Sequence, residues 1–374
     1  MKDLFYKLLS IRSEHAHKEN FAKVLEGVEE YFDGVEKVEI TKFDSNGYPS
    51  MVVGNTDADE REYDVLLIGH LDVVPADYPK AYEPYEKDGR IYARGATDMK
   101  GPTVAMITAF YELIDSGDLS DKKVALMLTT DEEVGGSNGV RYLVEEEEFN
   151  CKIAFVPDGG GDWKVCTDEK AVYHFSVQSE GVAAHGSRPW SGVNANEKLI
   201  NVFLKIRDAI YEKWGEADKD DNWKPTINLG AIHGGEAANK VPDSAEMKID
   251  IRHPVEVDQS EIISIIEESV KSVDNGSGIS WEPMATGVAF HTDASNEFLQ
   301  RWLEITADKS SIKENDRFVK EHGAADARFL SAKGIPGIIT KPVCSDAHID
   351  DEWIDWDSLV EFKDSIKEFL KEVD

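Results

Sequence analysis

The chain reads as an α/β protein, a mostly parallel sheet with helices on both faces that carries an inserted α+β unit of four strands and two helices. Three observations carry that reading. Continuous apolar runs at 65–68, 124–128 and 153–156 are bounded by charge or glycine, the pattern of strands buried on both faces. Segments of helical spacing separate them, so strand, helix, strand, helix, strand follow in order. From about residue 171 the texture changes to strict alternation (AVYHFSVQS), and after about 288 the α/β texture returns.

Taken in order, 2–10 and 20–33 show helical spacing, the second through Phe21, Val24, Leu25, Val28, Tyr31 and Phe32. Short β-type runs follow at 36–41 and 50–54, then the buried run at 65–68. The spacing of Val104, Ile107, Phe110 and Leu113 predicts a helix over 101–116. Strand 124–128, helix 137–149 and strand 153–156 complete the first part. The run EEEE at 145–148 reads as a solvated helix face. In the changed region, 171–179 is a half-exposed strand and 194–213 a long amphipathic helix. The polar stretch GEADKDDNWKP (215–225) precedes alternating segments at 226–232 and 245–251 and a helix at 258–272. That order fits a small unit with an open four-stranded sheet. Helix 294–306, a glycine-containing turn at 322–324, strand 337–341 and helix 357–372 close the chain. The expected organisation is an α/β domain of residues 1–174 and 289–374, interrupted by a domain of residues 175–288.

Composition excludes several classes. Of 374 residues, 41 are basic and 74 acidic, a formal charge of −33. Such a surface repels nucleic-acid phosphates and anionic membranes, so neither is an expected partner. Hydrophobic content of 41% supplies the apolar surface that a disordered acidic chain lacks. A halophilic origin is not favoured, because Lys outnumbers Arg 30 to 11. Cys151, Cys166 and Cys344 make an odd count with no C-x-x-C pair, which implies neither a disulfide framework nor a thiolate zinc knuckle. The first twenty residues have no apolar core of a signal peptide, and no run approaches 18 apolar residues. A cytoplasmic location is expected.

The polar residues that stand directly after buried runs are the candidates for chemistry, since sites in open parallel sheets form at the carboxyl ends of strands. His70 and Asp72 follow VLLIG, Glu132 and Glu133 follow VALMLTTD, and Asp158 follows IAFVP. Asp98 lies in ARGATDMKG, just before the 101–116 helix, and His348 lies shortly after GIIT. In so acidic a chain most carboxylates decorate the surface, and a lone histidine is more often structural than a ligand. Against that, carboxylates converging beyond buried strands repel one another unless a cation compensates them. A set of histidine and carboxylate donors suits zinc, with manganese or cobalt as alternatives. Spacing alone leaves both readings open.

Six segments, in order along the chain, go further: GHLDVVP (69–75), YARGATDMKGP (92–102), TTDEEVGG (129–136), VPDGG (156–160), AAHGSRPWSGVNA (183–195) and AHIDDEW (347–353). Together they resemble the co-catalytic metallopeptidases of the M20 family, which includes acetylornithine deacetylase, succinyl-diaminopimelate desuccinylase, aminoacylase and several dipeptidases. The resemblance implies a site for two divalent metal ions, zinc before manganese or cobalt. Asp98 would bridge them, with His70 and Asp158 completing one ligand set and Glu133 and His348 the other. Glu132 would be the general base and Asp72 would orient His70. Two cations so held would lower the pKa of a shared water and polarise the scissile carbonyl, and the base would carry its proton to the leaving amine. The inserted domain resembles the family's lid and dimerisation domain, which implies a homodimer. His185 there matches a histidine that reaches a partner's active site and stabilises the oxyanion. Asn239, Arg252 and Gly323 match substrate-binding positions, with Arg252 suited to gripping a carboxylate. His174 reads as structural.

The expected reaction is hydrolysis of an amide bond in a short peptide. Aspartate at 158 accompanies aminopeptidase and dipeptidase activity in the resemblance, whereas the chain length fits the deacetylase and desuccinylase branch, so N-acyl-amino-acid deacylation is the alternative. A non-catalytic metal-binding scaffold would be expected to lose the base or a ligand, and every such position is occupied. A single-metal peptidase of another fold would be expected to carry H-E-x-x-H, which is absent.

Overall fold

The computed structural model describes residues 1–373 except 79, 275, 277, 310, 311 and 313–315. Residues Met1–Asp168 with Phe290–Asp374 form one compact unit, and Glu169–Ala289 form a second.

In the larger unit a nine-stranded sheet is built around four parallel strands, in the spatial order Val124–Thr129, Glu62–His70, Asn150–Phe155 and Gly337–Thr340. Tyr48–Gly54 and Glu39–Ser45 extend it antiparallel on one side, and Val165–Glu169 pairs antiparallel on the other. Leu67 stands opposite Leu126 on one neighbour and Phe155 on the other. Because side chains alternate across a strand, each run feeds two cores. Val65, Leu67, Leu126, Phe155 and Ile338 pack with helices Lys2–Leu9, Phe21–Glu29, Lys100–Ser116 and Trp356–Glu372 on one face. Leu66, Ile68, Met127, Ala154 and Ile339 pack with Val140–Glu145 and Ala327–Ser331 on the other. Helix Lys100–Ser116 approaches the end of the central strand so closely that a Cβ at Gly69 would lie 2.5 Å from Thr103 Oγ1.

The smaller unit is a four-stranded antiparallel sheet, ordered Thr226–Gly234, Ser244–His253, Ala171–Glu180 and Ile279–Thr286. Helices Ala195–Trp214 and Gln259–Val273 cover one face and share its core with Tyr173, Phe175, Val177, Met247, Ile249 and Ile251. The first helix is capped by Asn194 and the second by Asp258, whose side chains accept from backbone N–H groups of the first turn. The intervening positions of the strands are polar; His174 Nε2 lies 3.0 Å from Asp250 Oδ1, across the sheet.

Some local expectations change. The strand expected from 36 begins at Glu39. The helix expected over 137–149 is only Val140–Glu145, and the chain leaves it through Glu148 at φ 62°, so EEEE is not one helix face. Strand Val165–Glu169 is fully buried although Thr167, Asp168 and Glu169 are polar; Asp168 accepts from Thr167 Oγ1 at 2.8 Å and lies 2.8 Å from His291 Nδ1, which offsets its burial. A small sheet of Tyr85–Lys87, Arg90–Tyr92 and Trp353–Asp355 was also not legible in the pattern. No helix of the described residues is long and apolar enough to cross a membrane.

Candidate metal centre

The parallel strands end side by side, with His70 opposite Thr129 in register, and the polar residues that follow them converge. His70 is the last residue of its strand and is buried. Its Nδ1 lies 3.0 Å from the Asp72 carbonyl oxygen and 3.5 Å from Asp72 Oδ1, which fixes the ring and leaves Nε2 facing inward. The Asp72 carboxylate also accepts from the backbone N–H groups of Glu132, at 3.3 Å, and Glu133, at 3.0 Å. Asp72 thereby joins the first strand end to the turn that carries both glutamates.

Two donor groups meet at Asp98. His70 Nε2 is 3.3 Å from Asp98 Oδ1 and 3.8 Å from Asp158 Oδ2. His348 Nε2 is 3.1 Å from the other oxygen, Asp98 Oδ2, and 3.2 Å from Glu133 Oε2. Within each triad the ligand atoms lie within 4.8 Å of one another. The two triads share Asp98, which turns one carboxylate oxygen to each histidine, and imidazole nitrogens and carboxylates are donors that divalent metals such as zinc, manganese and cobalt accept. Burial opposes charge on His70, yet Asp72 and Asp98 hold its pKa well above the usual imidazole range. Hydrogen bonds to Asp98 and Glu133 raise His348 to about 10. Burial alone would raise Asp98, but Lys341, His348 and His70 hold it well below the usual carboxylate range. Asp158 is pushed up, by burial first and by Asp98 second.

Glu132 stands beside the triads, with Oε2 4.0 Å from His70 Nε2 and Oε1 3.8 Å from Arg328 Nη1. Burial, opposed by His70 and reinforced by Asp158, pushes its carboxyl well above the ordinary range. The turn behind it needs glycine: Gly136 has φ 64°, and a Cβ there would sit 2.2 Å from Asp326 Oδ1.

The remaining residues singled out in the sequence lie elsewhere. Gly323 is exposed on the loop after Phe318–Glu321 in the larger unit. His185, Asn239 and Arg252 belong to the smaller unit. His185 is exposed, with Nδ1 2.8 Å from Ser187 Oγ. Asn239 is exposed, and its carbonyl accepts from Gly186 N–H. Arg252 Nε donates to Asp250 Oδ1 at 2.9 Å.

Glu352 and Lys341 escaped the sequence reading as residues of the centre, while Arg328 ends the GAADAR segment that Gly323 begins. Glu352 is fully buried and accepts from Arg94 Nη1 and from the N–H groups of Gly95, Thr97 and Asp98, which sets the loop presenting Asp98. Arg328 Nη2 donates to the Gly135 carbonyl, bracing the glutamate turn. Lys341, one residue past strand Gly337–Thr340, puts Nζ 3.0 Å from Asp158 Oδ1 and 3.6 Å from Asp98 Oδ1. Glu352 had a visible signal, since it lies within the AHIDDEW segment; a lysine after an apolar run carries none.

Comparison with known proteins agrees with this architecture. A family model for peptidase family M20/M25/M40 matches residues 66–372. Aminoacylase-1 of Sus scrofa is 28% identical over 307 residues, 75% of this chain and 71% of its own. A probable succinyl-diaminopimelate desuccinylase of Staphylococcus aureus is 26% identical over 353 residues, 82% and 84% of the two chains. An M20 family metallo-carboxypeptidase from Sulfolobus solfataricus superposes with a TM-score of 0.79 at 17% identity, covering 98% of this chain and 97% of its own. Aminopeptidase PepT from Bacillus cereus gives 0.77 at 18%, covering 100% and 97%. The chain belongs to peptidase family M20/M25/M40 and is a metal-dependent amide hydrolase.

Proposed function

We propose that the chain hydrolyses the amide bond of short peptides at a centre for two divalent ions, zinc before manganese or cobalt. The observation that carries the two-ion reading is Asp98, whose two oxygens face two different donor triads. His70, Asp98 and Asp158 would hold one ion, and Asp98, Glu133 and His348 the other. Bound there, the ions supply Lewis acidity toward the carbonyl and toward water. Glu132 is the general base: it stands beside the triads without belonging to either, Oε2 4.0 Å from His70 Nε2, where it would take a proton from the attacking water and pass it to the leaving amine. Asp72 positions both His70 and the glutamate turn. His185 would donate to the carbonyl oxygen as charge develops, across a homodimer formed through residues 175–288, the lid and dimerisation domain of the expected organisation. Asn239, Arg252 and Gly323 would contact substrate. A cytoplasmic location fits this reading.

Aspartate at 158 supports peptides as substrates. A second reading, N-acyl-amino-acid deacylation, is favoured by the aminoacylase and desuccinylase relatives. A screen of dipeptides against N-acetyl and N-succinyl amino acids, with zinc, manganese and cobalt each added, separates them. Faster turnover of dipeptides supports the first reading; turnover confined to N-acyl substrates overturns it.

A further inference from the structure

Lys341 is a cation already in place among the donors. Its backbone is tied on both sides, Trp163 N–H donating to its carbonyl and its own N–H to the Gly160 carbonyl. Its side chain is 7% exposed, and Nζ lies 3.6 Å from Asp98 Oδ1, the oxygen that faces His70, and 3.0 Å from Asp158 Oδ1, while His70 faces Asp158 Oδ2. Neither Glu133 nor His348 has a described ion pair with it; these two face Asp98 through Oδ2. A divalent ion entering the His70, Asp98 and Asp158 group must therefore share Asp98 Oδ1, and the Asp158 carboxylate through its other oxygen, with a nearby positive charge, whereas the other group carries no such competitor among the described residues. Repulsion between a dication and an ammonium a few ångströms away in a buried site is large relative to thermal energy.

Building on the two-ion reading, we propose that Lys341 makes the two metal positions unequal: its ammonium lies beside Asp98 Oδ1 and Asp158, so the Asp98, Glu133 and His348 group fills first and the His70, Asp98 and Asp158 group fills second and more weakly. The flexible lysine stem lets the ammonium swing aside without moving the strand that carries it. Occupancy of the second position would then follow metal supply, and the first would hold its ion at low supply.

The test is zinc titration of the chelator-stripped chain against a chromophoric competitor, with bound metal counted by elemental analysis after dialysis. The wild type is expected to bind two ions, the second at least ~10-fold more weakly. Lys341→Met should tighten the second by ~10- to 100-fold, the range over which residues behind metal ligands act, with the first changed far less, and Lys341→Arg should keep the wild-type gap. Equal tightening of both ions, or none, in Lys341→Met overturns the assignment. If Lys341→Met does not fold, cobalt absorption decides on other variants: the first equivalent should persist in Asp158→Asn and be lost in His348→Ala, and the reverse order overturns the proposal. A wild type that binds only one ion or none fails the two-ion reading itself; two ions of equal affinity fail only the role of Lys341.

Discussion

Both units bury apolar side chains, but they differ in the charge they bury with them. The smaller has an interior of Ile, Val, Leu, Phe and Met between one sheet face and two helices, with His253, Lys170 and a few hydroxyls and other polar groups among its buried residues. The larger buries His70, Asp72, Arg94, Asp98, Lys100, Asp131, Asp326, Arg328, Lys341 and Glu352. Burying charge is costly unless it is paired, so a fold optimised for stability alone would not gather these groups. Their concentration around one end of a parallel sheet marks where stability has been exchanged for chemistry. The apolar interior of the smaller unit marks a scaffold whose contribution must come from its surface.

Substitutions in the two interiors should therefore fail differently. The largest effect is expected for Glu132→Gln, which keeps shape and removes the base: kcat should fall by ~10²–10⁴-fold, while bound metal, counted by elemental analysis, is unchanged. Turnover at the wild-type rate would remove Glu132 from that role. Next is Glu352→Ala, which strands the Arg94 guanidinium and frees the Asp98 loop. A loss of ~3–5 kcal/mol in urea unfolding is expected, the cost of breaking a buried pair from one side. The double variant Arg94→Met, Glu352→Ala should lose less than the sum of the two singles. Strict additivity would mean that the pair does not act as a unit. In the smaller unit, His185→Ala should leave stability and metal content intact and lower kcat by ~10²–10³-fold, the size of a lost oxyanion donor. Mixing it with Glu132→Gln should recover part of the activity if His185 acts across a dimer; no recovery would confine it to its own subunit.

Much of this contrast was legible in the sequence because buried runs and alternation are direct records of which faces meet solvent. The runs at 65–68, 124–128 and 153–156 lie within parallel strands, and alternation marked the strands of the smaller sheet. The residues that meet at Asp98 were located by their position after those runs. What escaped was polar and buried at once. Val165–Glu169 shows no strand pattern because its burial is offset by partners distant in sequence, His291 and Lys320 beside Asp168. Lys341 and Glu352 look like surface charges until the strands bring Asp158 and Asp98 to them. Local pattern reports the solvent a residue avoids; it does not report the charge waiting for it across the sheet.

The smallest expected effect concerns the one buried imidazole of the smaller unit. Burial lowers the pKa of His253 below 6.5, against a weaker raising contact with the Pro254 carbonyl. The neutral ring is the form that fits the fold. At a pH between the lowered native value and 6.5 the unfolded chain therefore binds a proton that the native chain does not, so stability rises with pH across that interval. The contribution is fully present above about pH 6.5 and is lost as pH falls through the native value. Below both values it stays constant. Other groups titrate nearby, among them Asp131, pushed up to about 7 by burial, so the wild type alone would mislead. The difference between wild type and His253→Gln isolates the term: the gap in urea midpoint should be larger at pH 7.5 than at pH 5.0, in favour of the wild type at the higher pH. A gap independent of pH would show that His253 pays no penalty for its burial, and the apolar character assigned to this interior would then have to accommodate a charge.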